Sequence, residues 1–443
     1  MRSGWGSICC NGWHEEAGHA NARQAPYAPI GKTPGGRLFR VKVSATASRS
    51  EVGLVYVAAV MQGLALVTFP AASSIFTSPD GFGFDSTRYG ALFLPQVLLA
   101  ILASAFAPRL ARRWSLRRVL LAGLAGDIVS MLLLALSRLL LGLPDMAFGV
   151  LLLATGALGF GFGATVMALN TYAEAFFPRR ADRAVLALNA LLGLGTALAP
   201  VLVAVVVGLG AWWLLPVLVA GLAALLFAVA YAQPLATPAG GAGAGPPTSL
   251  NWTDLPHRFW LYAAAVFVYG IVETLNGNWA MLYLSSERGV SSQGASLALA
   301  AFWVMVTVGR VLIAMITRFV PARWIYVALP AFSLVVFQLA AQAQSEAAGI
   351  IVFGLAGLAC SGFLPLSISF AGSEFPQLSA VMAGGLIAFY QLGYGVAAFG
   401  IGPLQSLLGL SFATIFAAGS IVAAPIIVIA WFIIQATRIP PRT

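Results

Sequence analysis

Charge is what this chain has least of. Only 9% of its 443 residues are Asp, Glu, Lys or Arg, and it holds just three cysteines and three histidines. Soluble domains carry about 25% charged residues, so a water-facing surface cannot be assembled from this inventory. That excludes a soluble enzyme and an ordinary nucleic-acid-binding domain, although a formal net charge of +10 would otherwise suit a polyanion partner. Cys9, Cys10 and Cys360 are too few for a disulfide framework. No Gly-x-x-x-x-Gly-Lys-Ser/Thr run occurs, which argues against an ATP-driven pump contained in this chain. His14, His19 and His257 all fall outside the long apolar stretches, so no histidine relay crosses them. No nucleophile–base pair stands out either. The chain reads as a non-enzyme with no cofactor.

Hydrophobicity is what it has in excess, with 60% apolar residues and a mean hydropathy of +0.90. Apolar stretches of about 20–25 residues alternate with short polar breaks, the length that crosses about 30 Å of hydrocarbon at about 1.5 Å per helical residue. They predict helices over Val52–Phe76, Tyr89–Leu110, Val119–Leu141, Phe148–Phe176, Ala184–Val207 and Trp212–Ala232. A second set covers Phe259–Leu284, Gly294–Ile316, Trp324–Ala343, Ala347–Phe370, Ser379–Gly402 and Phe412–Gln435. The fold class is therefore all-α integral membrane, with twelve spans in two six-helix bundles, residues 51–232 and 258–443. Residues 233–257 are rich in Gly, Ala and Pro and read as a linker. Residues 1–50 lack apolar periodicity and a signal-type apolar core, and read as a disordered cytoplasmic extension. Cys9, Cys10, His14 and His19 lack the spacing of zinc ligands, so no metal site is expected there.

Arginine placement sets the expected orientation. With both termini cytoplasmic, the inner segments hold Arg109, Arg112, Arg113, Arg117, Arg118, Arg179, Arg180, Arg183, Arg258, Arg318, Arg323, Arg438 and Arg442, against Arg88, Arg138 and Arg288 outside. The positive-inside rule favours that arrangement. The halves also repeat at an offset of about 200 residues. Gln62-Gly63 has a counterpart at Tyr269-Gly270, Arg113-Trp114 at Arg318-Phe319, and Glu174 to Pro178 at Glu374 to Pro376.

The segment between the second and third spans, Pro108-Arg109-Leu110-Ala111-Arg112-Arg113-Trp114-Ser115-Leu116-Arg117-Arg118-Val119, resembles the signature of the major facilitator superfamily. It departs from that signature where Pro108 and Ser115 replace glycines, Leu116 an arginine and Arg112 an aspartate. The second half resembles the fucose permease branch, the fucose–galactose–hexuronate symporters. The resemblance rests on Tyr269-Gly270-Ile271-Val272-Glu273, Trp279, Tyr283-Leu284, Phe302-Trp303, Gly309-Arg310 and Arg318-Phe319-Val320-Pro321-Ala322-Arg323. Asn170-Thr171-Tyr172 stands where that branch has an Asn-Pro-aromatic segment. The branch's proton-carrying carboxylates in the first and fourth spans have no equivalents: the first span has no acid, and Val166 takes the place in the fourth. The resemblance implies a major facilitator fold and a secondary transporter.

Charges inside hydrocarbon cost a few kcal/mol each and mark function or a partner. Asp127, Glu273 and Arg310 lie well inside predicted spans and are the candidate ion-coupling residues. Glu273 shares a helical face with Tyr269 and Asn276, so a carboxylate and an amide are available to one hydroxylated ligand. Its structural alternative is an ion pair with Arg310. Gly123 and Gly126 point to a close helix contact around Asp127. Gln62, Asn170, Glu273, Asn276, Trp279, Tyr390, Gln391 and Tyr394 form the expected substrate set, supplying amides and flat rings for a sugar-like solute. Asn189, Gly193, Thr196 and Pro200 form a small, polar stripe suited equally to packing. Pro365 is placed to break the tenth span and free a carbonyl. Arg112, Arg113, Arg117 and Glu374 are the expected cytoplasmic gate, with Glu374 replacing the missing aspartate.

The expected function is alternating-access transport of a small polar solute, with protons as the coupling ion, by a monomer in the bacterial inner membrane. Its partners are the solute, protons and the lipid bilayer, and no nucleic acid. Proton-driven export of an amphipathic compound, or ligand reception without flux, stay open as alternatives.

Overall fold

Several of the polar breaks between apolar stretches supply a side-chain cap for the helix that follows. Ser48 and Glu51 form a reciprocal capping box on the first helix. Asp85 accepts the Arg88 N–H at 2.7 Å, Ser291 that of Gly294 at 3.0 Å, and Ser345 that of Ala348 at 3.2 Å. Each cap of this kind contributes about 1 kcal/mol.

The computed structural model describes residues 47–177, 180–233, 235 and 255–436, apart from the side chains of Asp182, Ser379 and Ala380. Residues 1–46 of the expected extension, most of the 233–257 linker, the Cys9, Cys10, His14 and His19 group, and Arg179, Arg438 and Arg442 lie outside the described residues. Among the described residues, twelve helices are long and apolar enough to cross a membrane. They are α1 (Arg49–Thr77), α2 (Ser86–Arg113), α3 (Leu116–Leu140), α4 (Pro144–Phe176), α5 (Arg183–Gly208) and α6 (Leu214–Ala232). The second six are α7 (His257–Ser286), α8 (Ser292–Ile316), α9 (Ala322–Gln342), α10 (Glu346–Glu374), α11 (Val381–Ser406) and α12 (Phe412–Gln435). The fold is inverted relative to a soluble one. Leu153, Leu218, Ile351 and Ile421 are 63–75% exposed on the outside, whereas Gln62, Asp127, Thr165 and Asn276 are buried. Such a surface suits hydrocarbon, and every polar group inside must find its partner in the protein.

The two halves use the same packing scheme: α1 on α5, α2 on α4 and α3 on α6, repeated as α7 on α11, α8 on α10 and α9 on α12. Glycines at matching places let the backbones touch. A Cβ on Gly63 would strike the Leu192 carbonyl of α5, and one on Gly270 the Tyr390 carbonyl of α11. Likewise a Cβ on Gly159 would meet Gln96 O of α2, and one on Gly357 would meet Phe302 O of α8. The Gln62-Gly63 and Tyr269-Gly270 similarity thus marks two equivalent helix crossings.

The halves meet through α2 with α11 and α5 with α8. Consecutive spans alternate in direction, so α1 begins at one face, the terminal face, and ends at the other, the distal face. At the distal face Tyr89 OH donates to Asn278 O at 3.0 Å, Thr87 and Ser406 hydroxyls are 2.5 Å apart, and the Tyr89 ring meets Trp279 edge-on at 5.1 Å. The short distal segment Ser86–Ala91 packs more densely on α11 than all of Phe93–Arg113 does. The halves are therefore sealed at the distal face.

Candidate functional site

The site in the second half is built around a broken helix. α10 stops at Cys360 and restarts at Phe363. The cause is local: Pro365 has no N–H to give the Ser361 carbonyl four residues earlier, so that oxygen is released. Arg310 Nε takes it at 3.3 Å, and Tyr269 OH donates to the Cys360 carbonyl. Gly309 permits this approach, since a Cβ there would strike Ser361. Glu273, one turn beyond Tyr269 on α7, is only 6% exposed. Its carboxyl faces the hydroxyls of Tyr269 and Tyr390 and the Arg310 charge. Among the described residues no ion pair joins Glu273 to Arg310. The guanidinium sits on a released carbonyl instead and keeps donors free to swing toward the carboxylate or a ligand.

Other residues of the expected set lie nearby in varied states. Asn276 donates to Val272 O at 2.8 Å, while its own carbonyl oxygen is buried without a partner. Trp303 Nε1 is unpartnered too, and its ring packs where a Cβ on Gly277 would stand. Tyr394 accepts from Asn278 Nδ2 at 3.0 Å and also meets Gln96 of α2. Tyr390, Gln391 and Tyr394 are half-buried on α11. Trp279 differs from its expected stacking role. It is wholly buried, donates to Ala397 O at 3.2 Å, and presents no ring face to a solute in this conformation.

In the first half, Gln62 of α1 donates from Nε2 to Asp127 Oδ1 at 3.2 Å, and Thr165 of α4 lies 3.5 Å from Oδ2. Asp127 is fully buried at an α3–α4 contact made by glycines: a Cβ on Gly161 would strike its carboxylate, and one on Gly123 the Thr165 hydroxyl. Asn170 is half-buried and turned back onto Val166 O at 2.8 Å. On α5, Gly193 faces Thr307 of α8, and Thr196 bonds to Gly193 O at 2.8 Å. That stripe packs helices together.

The gate residues are not brought together here. Glu374 accepts from Arg258 in a two-point ion pair and from Tyr262 OH at 2.9 Å, and Arg258 also reaches Ile433 O at 3.1 Å. This ties α7, α10 and α12 within one half. Arg117 closes the end of α6 through Ala230 O at 2.8 Å and Tyr231 O. Arg112 and Arg113 are exposed.

Sequence reasoning missed Tyr89, Gln96, Thr165 and Asn278. Mid-span polar residues in an otherwise apolar run were the available signal for Gln96 and Thr165. Tyr89 carried none, because an aromatic at a span end ordinarily reads as an interfacial anchor.

Two pseudo-repeated bundles around buried polar groups and a broken helix define the architecture of a secondary transporter. The sequence matches the profile of the Major Facilitator Superfamily over residues 54–337, more than half of the chain. The protein belongs to that superfamily and is a multi-pass integral membrane protein. No curated protein sequence matches it. Among solved structures, a mutant of the nucleoside transporter NupG superposes with a TM-score of 0.69 at 15% identity, covering 87% of this chain and 99% of that one. The D-xylose-proton symporter gives 0.66 at 14% identity, covering 87% and 96%. The Escherichia coli fucose:proton symporter FucP gives 0.59 at 15% identity, covering 87% and 98%. At these identities the likeness is one of fold.

Proposed function

We propose that this chain moves a small polar, sugar-like solute across a membrane by alternating access, coupled to protons. The observation that carries the reading is Glu273, a nearly inaccessible carboxylate facing two tyrosine hydroxyls and an arginine beside a helix break. A carboxylate so placed exchanges one proton for one set of ligand hydrogen bonds, and the neighbouring Arg310 answers its charge. Asn276 and Trp303 contribute the unpartnered acceptor and donor that a hydroxylated ligand would satisfy. Tyr390, Gln391 and Tyr394 line the same site from α11, and Asn170 supplies an amide from the other half, whereas the Gln62 amide is spent on Asp127.

With the terminal face taken as cytoplasmic, on the arginine distribution, this conformation is sealed on the outer side. The protein then resides in the bacterial inner membrane as a monomer with both termini inside. Arg112, Arg113 and Arg117 act in cytoplasmic closure together with Glu374, which exchanges Arg258 for Arg112 or Arg113 as the halves close. A second reading, export of an amphipathic compound, is favoured by one feature, an apolar groove between α7 and α11 lined by Trp260, Ala263, Ala264, Phe267, Phe389 and Leu392.

Purified protein in liposomes, given an inward proton gradient and labelled hexoses, pentoses, nucleosides or an amphipathic dye, separates these readings. Gradient-driven accumulation of a hydroxylated solute supports import. Selective extrusion of the dye supports export, and binding without flux of any of them overturns transport.

A further inference from the structure

Asp127 is a buried carboxylate that the Glu273 site does not use. Its partners are both neutral: the Gln62 amide nitrogen at 3.2 Å and the Thr165 hydroxyl at 3.5 Å. α3 itself carries Arg117, Arg118 and Arg138, and the helices packed against it carry Arg49, Glu51 and Tyr56 on α1, Arg88, Tyr89, Arg109, Arg112 and Arg113 on α2, Asp145, Tyr172 and Glu174 on α4, and Tyr231 on α6. Among the described residues none of them forms a hydrogen bond or ion pair with Asp127, whose polar partners are Gln62 and Thr165. An ionised carboxylate in such a place is held by little, and one proton removes its charge.

The polar atoms around it are incompletely matched. Gln62 is wholly buried, spends its amide nitrogen on Asp127 and leaves Oε1 without a donor. Ser130, three residues on along α3, is also wholly buried and leaves its hydroxyl without a partner. Gln62 Oε1 is thus an acceptor without a donor, and a carboxylic acid beside it brings one. When Asp127 takes a proton from hydronium, an O–H bond forms on the carboxylate as one O–H bond of the hydronium breaks, leaving a water molecule. A half-turn of the Gln62 amide then lets that O–H donate to Gln62 Oε1 and frees the amide N–H groups. Gly63, the next residue, is where α1 and α5 touch.

We propose that Asp127, Gln62 and Thr165 form a proton-binding site in the first half, separate from Glu273, in which the Gln62 amide reads the protonation state of Asp127 and passes it to the α1–α5 crossing. The ligand is a proton. Its role in coupling rests on the transport reading, but its binding does not.

Infrared spectroscopy of the purified full chain tests the binding without any solute. The wild-type protein should show a carboxylic C=O band that grows as the pH falls from about 9 to about 5, the range in which a useful proton carrier must titrate. Asp127→Asn should lose it, Glu273→Gln should keep it, and Thr165→Val, which leaves the acid in place, should shift its frequency. If Asp127→Asn fails to fold, the Thr165→Val shift carries the assignment. A spectrum indifferent to both first-half variants, or an Asp127 band that stays constant across the whole range, would overturn the proposal even if transport is observed.

Discussion

Changing Tyr89 to Phe deletes one hydroxyl from the distal seal and leaves the ring in place. The ring is fully buried, edge-on to Phe93 at 5.3 Å and to Trp279 at 5.1 Å, so apolar packing survives the change. What is lost is the hydrogen bond to Asn278 O across the two halves. A bond of that kind contributes about 0.5–1.5 kcal/mol net. In a two-state equilibrium that is a shift of about two- to tenfold toward the distally open form. Gly402→Ala makes a harsher version of the same test. Its new Cβ would strike the Ser86 carbonyl of α2, and backbone yields only if the helices part. Overpacking of this sort costs about 1–3 kcal/mol, a shift of roughly five- to 150-fold. Spin labels on the distal ends of α2 and α11 would report the distance distribution. The longer distance should gain population in Tyr89→Phe and more in Gly402→Ala. Unchanged distributions in both would refute the claim that these contacts hold the distal face shut.

Glu374→Gln should lower the melting temperature, because it weakens a two-point, half-buried ion pair and a tyrosine bond that tie α7, α10 and α12. Charge-assisted hydrogen bonds of this type contribute about 1.5–3 kcal/mol, and thermal unfolding in detergent checks it. Ser115→Gly should stabilise: Ser115 sits at φ 138°, where a side chain is strained by about 1–3 kcal/mol, while its cap on the Arg118 N–H is replaced by Gly at a few tenths. A fall in melting temperature would contradict that. Pro365→Ala returns an N–H to the Ser361 carbonyl in competition with Arg310; the variant should melt higher and transport more slowly, as thermal unfolding and initial-rate flux would show.

The helices were legible because hydrocarbon imposes one rule, about twenty apolar residues with no exposed backbone polarity, and that rule is written along the chain. The span expected over Val52–Phe76 runs Arg49–Thr77, and the one over Phe412–Gln435 keeps its bounds. The α10 break was foreseeable from Pro365 because proline chemistry is local. Partners far apart in sequence were not. Glu374 lies 116 residues from Arg258, and nothing in either segment tells that arginine from Arg112 as a partner. Trp279 read as a sugar platform because a mid-span tryptophan carries no mark of whether its N–H is already spent on a backbone carbonyl. Glu273 stood out because a lone carboxylate in a span is rare, but the oxygen that draws Arg310 aside belongs to a backbone, which composition does not show.

The central claim is that Glu273 couples solute movement to protons. Wild-type protein and Glu273→Gln in liposomes, compared for gradient-driven accumulation and for exchange at equal solute concentration on both sides, test it most directly. The account predicts that Glu273→Gln loses accumulation by tenfold or more, about 1.4 kcal/mol of coupling, while exchange continues. Undiminished accumulation by Glu273→Gln would contradict it.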